Sequence, residues 1–341
     1  MNAEPLFALG MYSIVGAPPF AGLLVSGKVL AVEALDHHVP NFGGVLSGTG
    51  SLQALLDRWD TNLPILERAA SAMRSGPLSE ALQSKATPVA KLRVHSPVEP
   101  RQILMTRANY RKHVIEIRAA MDKDNGLPLE QRRAAAAEMI DKIAAGGSPF
   151  FFAKLPSSVT GPYDDITIPV DTQKADWELE LAVVMGRAAR RVRREDALSY
   201  VAGYCIANDV SARDLLVRND LGPGQDWISC KCAPGFMPMG PHLVPAKFVP
   251  DPHALHILLK RNGKVMQDDS TRDMIHDIPR LIEYLSNRIQ LLPGDVISTG
   301  SPAGNGMQTG EFIQPGDVLE GSITGLGAIR NRFVAEQEIA R

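Results

Sequence analysis

Apolar residues change their spacing several times along the chain, and each change predicts a different element. Residues 6–35, "LFALGMYSIVGAPPFAGLLVSGKVLAVEAL", are short strand-like runs separated by turn residues, and Ser26-Gly27 predicts a tight hairpin. From 51 to 73 the spacing becomes helical, with Leu52, Leu55, Leu56 and Trp59 on one face. Pro64 follows Asn62 by two residues, which predicts a second helix capped by Asn62. The segment 87–100, "TPVAKLRVHSPVEP", carries three prolines and reads as a connector, placing a domain boundary near residue 98. Beyond it, 101–121 is a short strand running into a helix. Residues 128–147 form an alanine-rich helix ended by Gly146-Gly147. Residues 149–341 are mainly strands and turns, interrupted by a helix over 277–290 with Asp277 as N-cap and Leu281, Ile282, Leu285 and Ile289 on one face. "LLPGDVIS" and "IQPGDVLE" echo each other, and a type II turn entering a strand explains both better than a ligand at Asp295 or Asp317.

One strand breaks the pattern. "DWELELAVVM", 176–185, is rich in apolar residues yet holds Glu178 and Glu180. Residues two apart on a strand share a face, so these acids stand about 7 Å apart at Cα while Trp177, Leu179, Leu181, Val183 and Met185 face the other way. Paired carboxylates repel unless water or a cation compensates them. A polar outer face is the plain reading of an isolated Glu-x-Glu. Here Ala182 and Val184 continue the acids' face as an apolar surface, and a second run, "YVAGYCIAND", ends in Asp209. Two Glu and one Asp suit a hard cation such as Mg²⁺.

Composition narrows the classes. The chain has 341 residues, 45% hydrophobic and 22% charged, with net charge -2. That is an ordinary globular balance without attraction to nucleic acid or anionic membranes. The basic stretch "GRAARRVRRED", 186–196, reads as a solvated loop rather than an anion site. Three cysteines, Cys205, Cys230 and Cys232, fit packed thiols in a reducing cytoplasm. The N-terminal residues lack the pattern of a signal peptide, and no apolar run is long enough to span a bilayer.

The motifs "DWELELAVVMGRA", "GYCIANDVSARD", "GDVISTGSPAGNG" and "PGDVLEGSITGLGAIRN", preceded by "NYRKHVIE", resemble the fumarylacetoacetate hydrolase superfamily over roughly residues 97–341. The resemblance implies an α+β, mostly β fold: a mixed β-roll catalytic domain over 99–341, with a lid near 107–148, and a smaller N-terminal α+β domain over 1–98. It implies Glu178, Glu180 and Asp209 as ligands of Mg²⁺, Mn²⁺ or Ca²⁺. Lys231 matches the site lysine, Arg213 the site arginine, and Thr299-Gly300-Ser301 the turn that contacts the substrate carboxylate. His113 and Glu116 match the pair that activates water; at i, i+3 on a helix they share a face. Three features depart from the family pattern. Leu216 replaces a frequent glutamine, "TRANY" lacks the usual glycine before x-Asn-Tyr, and the stretch between Glu116 and Pro149 is long, which predicts an enlarged lid.

The implied activity is metal-dependent hydrolysis of a C–C bond in a β-diketo acid of the acylpyruvate or fumarylacetoacetate kind, by a cytoplasmic homodimer. Decarboxylation, tautomerisation or hydration by way of the same enolate are the alternatives. A cation-dependent binder without turnover is the alternative of another class. The expected partner is a small 2-oxo or diketo acid, with neither nucleic acid nor membrane involved.

Overall fold

The computed structural model describes residues 5–35, 42–121, 126–218, 220 and 224–337. Its framework is a large, mostly antiparallel sheet of twelve strands among the described residues. The sheet runs from the N-terminal hairpin strands through Ala8–Ser13 to Met237–Pro245, Val201–Asn208, Leu179–Met185, Val296–Ser298, Ile103–Arg107 and Phe150–Lys154. A five-stranded sheet, containing His256–Arg261, Val318–Ile323 and Gly327–Ala335, covers one face. The architecture is α+β.

Every residue of Leu179–Met185 is buried, because this strand has a core on each side. Leu179, Leu181, Val183 and Met185 pack with Ile257, Leu319, Ile329 and the helix Ile278–Ser286. Ala182 and Val184 pack on the opposite side beneath Leu52–Leu56 and Trp59–Arg74. The acids at 178 and 180 therefore lie inside the molecule.

Most local expectations hold. Ser26 and Gly27 both have positive φ (47° and 76°) between the paired residues Val25 and Lys28, the geometry of a type I′ hairpin. Asp277 caps Ile278–Ser286 by accepting from Arg280 N at 2.9 Å. In the two Pro-Gly-Asp turns the aspartate closes its own loop. Leu292 N donates to Asp295 and Gln314 N donates to Asp317, each at 2.7 Å. The basic loop is spent on surface ion pairs such as Arg187–Asp60 and Arg194–Asp277. Cys205, Cys230 and Cys232 are free and buried.

Asn62 corrects the sequence reading. It caps no helix; it lies inside Trp59–Arg74, fully buried, and its amide donates to Ser47 O and Leu55 O while accepting from Ser47 N. The helix begins earlier because the core takes up Trp59 at its start, and a buried amide there clamps the preceding loop. Pro64 sits in the sixth helical position, where its missing N–H costs one backbone bond.

The lid expectation corresponds to two packed helices, Arg111–Met121 and Leu129–Gly146, pinned by Arg111–Asp141 and Arg133–Glu116 ion pairs. The division at residue 98 remains a proposal about folding units, since hydrogen bonding crosses it where Leu9 pairs with Leu243. No helix among the described residues is long and apolar enough to cross a membrane.

Candidate active site

Strand alternation puts Asp176, Glu178 and Glu180 on one face, and antiparallel pairing brings Asp209 to them. Leu179 is opposite Asn208, and Asp209 N donates to Glu178 O at 2.8 Å. Carboxylate oxygens of Glu178, Glu180 and Asp209 all lie within 4.8 Å of one another. The three are 9%, 2% and 1% exposed, so water does not compensate their charge.

Basic side chains from distant segments do. Lys231 Nζ donates to Glu178 Oε2 at 2.7 Å and Asp209 Oδ2 at 2.5 Å. Its short helix, Trp227–Lys231, is started by Asp226, which accepts from Ser229 N at 3.0 Å. Lys154 Nζ, fully buried, donates to Asp209 Oδ1 at 2.5 Å and to the carbonyls of Phe236 and Val210. Arg213 Nε donates to Asp176 Oδ2 at 2.8 Å, and its Nη2 lies 2.8 Å from Glu178 Oε1.

Glu180 stands apart. Its Oε2 accepts from Ser298 Oγ at 2.5 Å and Gly300 N at 2.9 Å, but no basic side chain pairs with it among the described residues. Burial, with Asp209 and Glu178 close by, pushes its carboxyl up to about 8. Burial also opposes ionisation of Glu178, but Arg213 and Lys231 outweigh it and hold that group well below the usual range. Burial works against charge on Asp176, which it pushes up, and on Lys154, which it pushes down, whereas acidic neighbours outweigh burial at Arg213 and Lys231 and hold both protonated. A divalent cation that displaced the Glu180 proton would make the cluster one unit more positive, which suits an anionic substrate. Three buried carboxylates, one lacking a cationic partner, fit a hard divalent ion, and the all-oxygen donor set favours Mg²⁺, Mn²⁺ or Ca²⁺ over softer metals.

The remaining candidates divide. Thr299, Gly300 and Ser301 frame the acids: Thr299 Oγ1 donates to Leu181 O, and Gly300, at φ 92°, turns its N–H onto Glu180. Ser301 Oγ accepts from Gln267 Nε2 at 2.8 Å. His113, on Arg111–Met121, is 6% exposed, and its Nδ1 has no hydrogen-bond partner. Burial, helped by Arg213 and Lys231, lowers it to about 4, so it is neutral at pH 7. Glu116 does not reach it; its carboxylate accepts from Arg133 Nη2 at 2.9 Å.

Sequence reasoning missed Asp176, Lys154, Ser298 and Asn305, whose Nδ2 lies 3.2 Å from Glu178 Oε1. Asp176 was detectable, since it has the same parity as Glu178 and Glu180. Lys154 ends the apolar run "FFFAK", where a lysine must be buried or lie at an edge.

The family model described as fumarylacetoacetate (FAA) hydrolase C-terminal matches residues 102–334. A rat (Rattus norvegicus) relative, named oxaloacetate tautomerase Fahd2a, mitochondrial, is 32% identical over 299 residues, covering 85% of this chain and 87% of its own. Among solved structures, a putative HpcE protein from Mycobacterium smegmatis is 30% identical with a TM-score of 0.70, covering 96% of this chain and 99% of that one. Fumarylacetoacetate hydrolase from Exiguobacterium antarcticum is 27% identical with a TM-score of 0.73, covering 97% and 100%. The two-sided sheet, the buried carboxylates at its centre and these relatives agree: the chain is an enzyme of the fumarylacetoacetate hydrolase family, acting on small molecules.

Proposed function

We propose that the protein interconverts the enol and keto forms of a small 2-oxo acid, with Glu178, Glu180 and Asp209 holding a divalent cation, Mg²⁺ foremost. The observation that carries this reading is the state of His113. It is buried, its Nδ1 is unpaired, its expected carboxylate partner is engaged elsewhere, and burial lowers it to about 4, which favours the neutral imidazole. Tautomerisation needs one group that takes the enol O–H proton and one proton delivered to the adjacent carbon; no water is consumed. A neutral imidazole does both in turn. Arg213 and Lys231 border the acids and hold the substrate's negative charge. The cation, when bound, supplies Lewis acidity toward the 2-oxo acid. The rat relative's name points the same way.

Hydrolysis of an acylpyruvate is the second reading, favoured by one observation. Glu116 is one turn from His113, and its pair with Arg133 is more than a third exposed on both sides. Solvent screens so exposed a pair, so a side-chain rotation can release Glu116 toward the imidazole.

The two readings separate in one experiment: loss of enol absorbance from oxaloacetate, and pyruvate release from acylpyruvates, each with Mg²⁺ or EDTA. Oxaloacetate tautomerisation that stops with EDTA is the expected result. Pyruvate release without tautomerisation would replace the first reading by the second. Glu116→Gln is expected to leave tautomerisation within about threefold, whereas a water-activating Glu116 would show a loss of roughly a hundredfold or more. His113→Asn is expected to retain cation binding by calorimetry and to lose roughly a hundredfold or more in turnover. Normal turnover in that variant would remove His113 from the mechanism.

A further inference from the structure

Arg107, in "TRANY", ends the strand Ile103–Arg107 and is exposed, two residues before the buried Asn109. We propose that Arg107 binds a second, distal carboxylate of the substrate, so that the enzyme selects 2-oxo dicarboxylic acids over monocarboxylic ones. This rests on the 2-oxo acid reading of the carboxylate cluster.

The register of two strands carries the argument. Ile103–Arg107 pairs antiparallel with Phe150–Lys154, setting Arg107 opposite Phe150, Met105 opposite Phe152 and Ile103 opposite Lys154. Residues two apart share a face, so Lys154, Phe152 and Phe150 step outward along one side of the strand. At the inner end Lys154 holds Asp209. In the middle, Lys231 Nζ lies 5.3 Å from the centre of the Phe152 ring, which stacks on Trp227 at 4.4 Å. At the outer end, the Arg107 guanidinium lies 5.8 Å from the Trp227 ring and 5.5 Å from the Phe150 ring. Three contacts, none longer than 6 Å, thus join the site lysine to Arg107 along an aromatic wall.

Arg107 is held but not neutralised. Among the described residues, its guanidinium makes no ion pair or hydrogen bond, and the nearby Arg118 repels it. Glu178 is the acid that acts on it from within the site. A cation fixed against aromatic faces, facing a second cation and open to solvent at its outer side, is complementary to a carboxylate. The aromatic faces between them suit a hydrocarbon spacer. A guanidinium also suits the two oxygens of a carboxylate better than an ammonium does.

The test is calorimetric titration of the Mg²⁺-loaded protein with 2-oxoadipate and with 2-oxohexanoate, the same chain without the distal carboxylate. The parent protein is expected to bind the diacid about tenfold to a hundredfold more tightly. In Arg107→Met that preference should collapse to within about twofold through loss of affinity for the diacid, and Arg107→Lys should fall between. Melting curves establish that the variants are folded. Equal affinities in the parent, or an undiminished preference in folded Arg107→Met, would overturn the proposal while leaving the 2-oxo acid reading intact. Absence of binding by either acid to the parent would overturn both.

Discussion

A Glu180→Gln protein is expected to fold as the parent does and to lose its response to divalent cations. At pH 7 the parent's Glu180 carries its proton for most of the time, because burial beside Asp209 and Glu178 pushes it up to about 8. A glutamine amide resembles that neutral acid, and its carbonyl oxygen can still accept from Ser298 and Gly300. Stability without added cation should therefore lie within about 1 kcal/mol of the parent. With the cation the two diverge, because the amide cannot supply the negative charge that the bound ion requires. Affinity for Mn²⁺, read by titration calorimetry, should fall at least roughly a hundredfold, and turnover with it. A variant that binds Mn²⁺ as tightly as the parent would exclude Glu180 as a ligand.

Lys231→Met should behave in the opposite manner. Its ammonium bridges Glu178 and Asp209, with the lysine side chain only 2% exposed. Removing it leaves buried carboxylate charge uncompensated, at a cost of about 3–5 kcal/mol. A divalent ion restores the lost charge, so Mg²⁺ or Mn²⁺ at about 100 times Kd should return about 2.7 kcal/mol. The measurement is denaturant unfolding of parent and variant with the cation and with EDTA. The variant's stability should depend on the ion far more than the parent's does. If EDTA and Mn²⁺ give the same unfolding midpoint for Lys231→Met, the carboxylates do not bind the ion at this position.

These two residues also mark how far the sequence could be read. The shared face of Glu178 and Glu180 was legible because strand alternation is a local property, and Asp176 was legible by the same rule. The way the acids are balanced was not. Lys154, Lys231 and Arg213 come from three separate segments, and only the pairing of Val201–Asn208 with its neighbours brings Asp209 among them. The i, i+3 spacing of His113 and Glu116 correctly gave a common helix but not a contact, because Arg133 on the adjoining lid helix takes the carboxylate. Asn62 failed in the same way: its local preference for a cap was overridden by a buried role in tertiary structure.

The seam between the N-terminal hairpin and the central sheet has a consequence for how the molecule is made. Tyr12 hydrogen-bonds His242 at 2.9 Å across 230 residues of chain, and Leu9 faces Leu243 in the ladder. A ribosome adding ~5–20 residues per second delivers Met237–Pro245 on the order of ten to fifty seconds after Ala8–Ser13 has emerged. Through that interval Arg93–Val94 can cover Tyr12 and Ser13, but the part of the strand around Leu9 lacks its native neighbour, an open stretch of β-edge in a crowded cell. Closing so large a loop also makes sheet completion slow. The chain is therefore expected to lean on chaperones during synthesis more than its stability alone would suggest, and refolding yield should fall with protein concentration.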